Sequence, residues 1–119
     1  LPVALASSSS YGLIEAVIDK FDLRSHFDVI YSAQEEALGK PHPGVYITTA
    51  RKMQIPTDHC VAIEDSINGV LSAKAARMAC IAVPEQVARY DRRFGIADFQ
   101  IESLHQIGPE LWATLSGNG

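Results

Sequence analysis

Short apolar runs alternate with stretches of helical spacing along the whole chain. Val3 to Ala6 is continuously apolar, as suits a strand covered on both faces, and polarity changes abruptly at Ser7-Ser8-Ser9-Ser10. Beyond the serines, Leu13, Ile14, Val17, Ile18 and Phe21 recur at the spacing of one helix face, with Ser10 or a neighbouring serine as the N-cap. Phe27 to Tyr31 reads as a second strand, and Val45, Tyr46, Thr49, Ala50 and Met53 line one face of a helix whose first turn carries Pro43. Cys60 to Ile63 reads as a third strand, followed by Glu64-Asp65-Ser66 and a helix with Ile67, Val70, Leu71, Ala75 and Met78 on one side. Ala79 to Val83 makes a fourth strand that stops at Pro84. The stretch from Glu85 to Gly95 is polar and irregular, and Ala97 to Ile101 suits a short edge strand. Ser103 then caps a closing helix with Leu104, Ile107, Leu111 and Leu115 inward, and Asn118-Gly119 reads as a frayed end. Strands alternating with helices in this way predict an α/β fold with a mainly parallel sheet and flanking helices.

Composition narrows the class of protein. With 119 residues, the span 1–119 makes one small domain, and 47% hydrophobic with 20% charged residues is ordinary globular usage, which excludes disorder and disulfide-rich scaffolds. The net charge of -4 leaves no excess of Lys or Arg to neutralise a phosphate backbone, so neither nucleic acid nor an anionic membrane is expected as partner. No apolar run reaches membrane-spanning length and no basic stretch leads into an apolar one at the start, so a cytoplasmic protein is expected. Cys60 and Cys80 stand twenty apart without ligand spacing and read as reduced, buried thiols. The chain opens at Leu1-Pro2-Val3-Ala4-Leu5-Ala6, inside what reads as a buried strand and without an initiator Met, so it is expected to be a fragment.

In an open parallel α/β sheet, ligands bind outside the carboxyl ends of the strands, which directs attention to three places. Ser7 to Ser10 puts hydroxyls and free backbone N–H groups at the positive end of a helix dipole, either as a phosphate seat or simply as a cap and turn. In Gly39-Lys40-Pro41-His42-Pro43 the prolines stiffen the loop and aim Lys40, as suits neutralisation of an anion or a buried carboxylate, though a lysine before a proline is also ordinary surface. Glu64-Asp65 places two adjacent carboxylates at a strand end; they suit Mg²⁺, or Asp65 or Ser66 merely caps the following helix. His26, His42, His59 and His105 lack ligand spacing, and Arg89, Arg92 and Arg93 read as a solvated loop.

Taken in order, Ala4-Leu5-Ala6-Ser7-Ser8-Ser9, Gly39-Lys40-Pro41-His42-Pro43 and Ala62-Ile63-Glu64-Asp65-Ser66-Ile67-Asn68-Gly69 resemble motifs two, three and four of the haloacid dehalogenase-like (HAD) hydrolases. The likeness runs to about residue 115 and lies in the sugar-phosphatase and β-phosphoglucomutase branch, towards the hexitol phosphatase / 2-deoxyglucose-6-phosphate phosphatase type. It implies a HAD-like Rossmannoid core of which 1–119 is the C-terminal part, lacking the central motif-one strand and the cap domain. It further implies that Ser7, with the Ser8 backbone N–H, binds the transferring phosphoryl group and that Lys40 neutralises it. Asp65 would coordinate Mg²⁺, with Glu64 as ligand or supporting partner. The family's Asp-x-Asp nucleophile and acid/base pair is absent, since Asp19, Asp22 and Asp28 form no such motif. The resulting expectation is part of a Mg²⁺-dependent phosphatase for a small phosphorylated sugar or polyol, inactive alone and prone to self-association through exposed strand edges. The alternatives are a phosphomutase of the β-phosphoglucomutase type and a non-catalytic phosphate- or partner-binding module.

Overall fold

Four serines, Ser10, Ser32, Ser66 and Ser103, and one aspartate, Asp91, start the local helical elements of this chain by accepting the backbone N–H groups that helices leave unpaired. Ser10 accepts from Leu13 N at 3.3 Å and opens α1 (Tyr11–Phe21), while Ser66 accepts from Gly69 N at 3.0 Å and opens α3 (Ile67–Ala75). The helix between them, α2 (Gly44–Met53), follows Pro43, and α4 (Pro109–Gly117) closes the described chain. The computed structural model describes residues 1–117; the frayed end expected at Asn118-Gly119 lies outside them.

The strands are β1 (Ala4–Ser7), β2 (Val29–Ser32), β3 (Val61–Glu64), β4 (Ala79–Ala82) and β5 (Phe99–Gln100). Each lies within two residues of the apolar run that predicted it, and every pairing is parallel. The α/β architecture with parallel pairing and flanking helices is therefore the one the alternation implied. The strands form two separate ladders, β1-β2 and β3-β4-β5, with no rung between β1 and β3 among the described residues. Helix α2 packs on β1, β2 and α3, and so ties the two ladders together.

Alternation along β3 decides what faces the core. Ala62 and Glu64 turn to the buried side, covered by α2 and α3, while Ile63 stays 48% exposed on the other. The main core gathers Val45, Tyr46 and Ala50 of α2, Val70 and Ala73 of α3, Cys80 and Ala82 of β4, and Phe94.

Several expectations need correction. The five-residue apolar stripe of α1 buries only Ile14 and Ile18; Leu13, Val17 and Phe21 are exposed, because the described residues offer partners along one line of that face. On α3, Leu71 and Ala75 are exposed while Val70, Ser72 and Ala73 are buried. The Glu85–Gly95 stretch is not merely irregular: it holds short 3₁₀ turns at Gln86–Ala88 and Arg92–Ile96, the second of which buries Phe94. The edge strand is two residues rather than five. Ser103 caps a 3₁₀ turn, Leu104–Gln106, not the closing helix, because Gly108-Pro109 interrupts the apolar period and α4 starts afresh at Pro109. Leu104 is exposed. Cys80 is buried, but Cys60 only half so, and the two are unpaired. Burial pushes the Cys80 thiol up to about 12, so it stays protonated.

Candidate active site

In a parallel ladder the backbone groups of alternate residues point to opposite sides. Val3 O accepts from Asp28 N, so the Ala6 carbonyl, three residues on, turns away from β2. Lys40 Nζ lies 3.4 Å from that oxygen and 2.6 Å from Glu64 Oε1, and thus joins the end of β1 to the end of β3. Both side chains are largely buried, at 12% and 7% exposure, so the pair is well desolvated.

The loop that delivers Lys40 is fixed from both sides. The Lys40–Pro41 peptide is cis, His42 N bonds the Gly39 carbonyl at 3.0 Å, and the buried Ser72 hydroxyl of α3 donates to the His42 carbonyl at 2.7 Å. His42 Nδ1 in turn accepts from Gly44 N at 3.0 Å, which makes this histidine a turn-former.

Glu64 has a second donor that the sequence pattern did not reveal. The Tyr46 phenol donates to the same Oε1 that accepts from Lys40, and Lys40 Nζ stands 5.0 Å from the centre of the Tyr46 ring. Burial first, then the Glu64 charge, hold the phenol pKa above its ordinary value, so Tyr46 remains a donor. Apolar periodicity placed Tyr46 inside correctly; the signal of something more was a tyrosine where a phenylalanine fills the space. Gly69, in the first turn of α3, completes the seat: a Cβ built there would overlap the Glu64 carboxylate.

The neighbouring carboxylate behaves differently. Asp65 points outward, exposed and without an ion pair among the described residues, and Ser66 rather than Asp65 caps α3. Ser7 Oγ accepts from Ser9 N at 3.1 Å, which leaves the Ser7 hydroxyl hydrogen available to a ligand, while Ser8 is exposed. The serine loop is anchored by the buried Ser32 hydroxyl, which donates to the Ser9 carbonyl at 2.6 Å. Ser7, Ser8, Lys40, Glu64 and Asp65 line one open cleft of about 440 Å³ at the carboxyl ends of β1 and β3. The arginines stand apart: Arg93 pairs with Asp91 at 2.7 Å and Arg89 with Glu102 at 3.3 Å. No cluster of three or more His, Cys, Asp or Glu positioned for a metal occurs among the described residues, and none of their helices is long and apolar enough to cross a membrane.

At the strand ends of these parallel βα units, a cleft lined by serines and one ammonium has the chemistry that suits an anion. The family described as haloacid dehalogenase-like hydrolase matches residues 1–77, and the chain belongs to it. Hexitol phosphatase B of Escherichia coli K12 is 45% identical over 107 residues, covering 90% of this chain and 48% of that protein. CbbY of Rhodobacter sphaeroides, solved in complex with phosphate, superposes with a TM-score of 0.83 at 33% identity, over 91% of this chain and 49% of that one. A β-phosphoglucomutase from Clostridium difficile shares the fold, with a TM-score of 0.84 at 21% identity, over 99% of this chain and 50% of that one. The chain spans about half the length of the curated relatives it matches.

Proposed function

We propose that this chain supplies the phosphate-grasping side of a Mg²⁺-dependent, cytoplasmic phosphatase acting on a small phosphorylated sugar or polyol. The observation that carries the reading is the immobilised ammonium of Lys40 sharing one cleft with Ser7, Ser8 and Asp65. In phosphoryl transfer the protein mainly positions groups and stabilises charge, and these residues do both. Ser7 donates its hydroxyl to a phosphoryl oxygen, the Ser8 N–H assists, and Lys40 balances the negative charge that gathers there.

The donor set fits Mg²⁺ in one respect that the geometry makes concrete. Lys40 neutralises Glu64, which removes the repulsion expected of adjacent carboxylates and leaves Asp65 as one open, hard oxygen ligand. Mg²⁺ usually takes one or two protein carboxylates and keeps several waters, so Asp65 suffices as this chain's direct ligand, with Glu64 behind it. When bound, the ion would polarise the phosphoryl group and offset its charge.

A covalent phosphatase also needs a nucleophile, and none of the aspartates here sits in an Asp-x-Asp at a strand end. Aspartyl-phosphate formation therefore needs a carboxylate that these 119 residues do not supply, and the chain is expected to be inactive alone. Identity to Hexitol phosphatase B favours hydrolysis over phosphoryl migration, and it suggests hexitol phosphates as the first substrates to try. The test is Mg²⁺-dependent release of inorganic phosphate from hexitol and hexose phosphates by the complete protein carrying this sequence. Interconversion of sugar phosphates without net release would replace the phosphatase with a mutase; phosphate binding with no turnover of any sugar phosphate would reduce it to a binding module.

A further inference from the structure

Tyr46 buries a hydroxyl that packing does not need. It is 8% exposed in the middle of the core, where phenylalanine would fill the same volume without desolvating an oxygen. What the oxygen gains is Glu64 Oε1, the atom already holding Lys40 Nζ at 2.6 Å, and the ring of the same tyrosine faces that ammonium at 5.0 Å. One side chain therefore touches both members of the ion pair. A lysine on a long, flexible stem keeps one position only when its surroundings define it. Two of the contacts that do so here, the Glu64 carboxylate and an aromatic face, involve Tyr46, the third being the Ala6 carbonyl at 3.4 Å.

The geometry points to Tyr46 as a positioning residue of the phosphate site, one that fixes Glu64 Oε1 from the core side and so holds the Lys40 ammonium at the mouth of the cleft. The inference rests on the phosphate-site reading of Lys40. Without the phenol oxygen, Glu64 has one partner fewer and can swing with Lys40, away from the Ala6 carbonyl and from an incoming phosphate. The phenol acts through Lys40 and touches no substrate.

A double-mutant cycle in the complete protein separates this role from plain packing. Tyr46→Phe keeps the ring and loses the oxygen, so the melting temperature is expected to fall by several degrees, while inorganic-phosphate affinity by calorimetry and kcat, measured where the variant is fully folded, are each expected to fall about tenfold. In a Lys40→Ala background, Tyr46→Phe is expected to change phosphate affinity by less than about twofold, because the group it acts through is gone. Equal losses in both backgrounds, or a loss that vanishes where the variant is fully folded, would make Tyr46 a packing residue and overturn the inference. An unaffected Tyr46→Phe protein would overturn it as well. Lys40→Ala with wild-type phosphate affinity would instead bring down the phosphate-site reading, and the inference with it.

Discussion

Lys40 and Glu64 meet at 2.6 Å although 24 residues separate them, one carried by a proline-stiffened loop after β2 and the other ending β3. Because the pair is buried, removing one partner leaves the other charge without compensation. Lys40→Ala is accordingly expected to lower stability by about 3 kcal/mol in urea denaturation. In the complete protein it should also reduce turnover by at least about a hundredfold, the scale of losing one charge-stabilising donor. A large loss of turnover at unchanged stability would mean that Glu64 finds another cation.

The adjacent carboxylate should show the opposite balance. Asp65 is exposed and has no ion pair among the described residues, so Asp65→Asn is expected to shift stability by no more than about 0.5 kcal/mol. Its effect belongs to the cation: titration of the complete protein with Mg²⁺ should show weakened binding, and turnover should fall about a hundredfold or more. Undiminished Mg²⁺ affinity would exclude Asp65 as a ligand.

Gly69 yields a steric prediction. A methyl at this position collides with the Glu64 carboxylate, so Gly69→Ala is expected to cost about 2 kcal/mol despite the better helix propensity of alanine. The penalty should shrink when Glu64 is shortened to Asp in the same chain. Equal penalties in both backgrounds would show that the collision is with something else.

Asp98 provides a pH dependence. Burial works against its charge, but the Lys74 ammonium at 2.8 Å and the Cys80 N–H at 2.8 Å outweigh it, leaving the folded-state pKa below the ordinary 3.8. A carboxylate depressed in this way stabilises the fold at pH above the unfolded value, and the contribution is lost as pH falls through the folded value. Asp98→Asn should therefore lower stability at neutral pH by about 1 kcal/mol or less, since the ion pair is partly solvated. Melting curves of the two proteins should converge in strong acid; a gap that persists there would assign the effect to packing.

Apolar runs located every strand because a buried parallel strand must be apolar on consecutive positions, and strand ends located the cleft because parallel βα units bring those ends together. Ser7, Lys40 and the adjacent Glu64-Asp65 pair are far apart in the chain yet line one cleft, which follows from that topology. Periodicity could not announce the Tyr46–Glu64 bond: it ranks residues by where they face, and Tyr46 faces inward whether or not its oxygen has a partner. Nor could it foresee that Glu64, at the end of an apolar run, would turn with Ala62 towards the core while Asp65 turned out. Phe94 escaped notice because a single aromatic residue among charged neighbours has no period at all.

The separation of β1-β2 from β3-β4-β5 bears on how the molecule breathes. β4 alone has a strand on either side among the described residues, so its amides should be among the slowest to exchange with deuterium. The backbone groups of Ala6 and Ile63 turn towards the gap, where the Lys40 side chain stands in place of a ladder rung. Exchange at these two amides should be fast beside that of Ile81, and the ratio would gauge how firmly one lysine closes the seam on which the cleft is built.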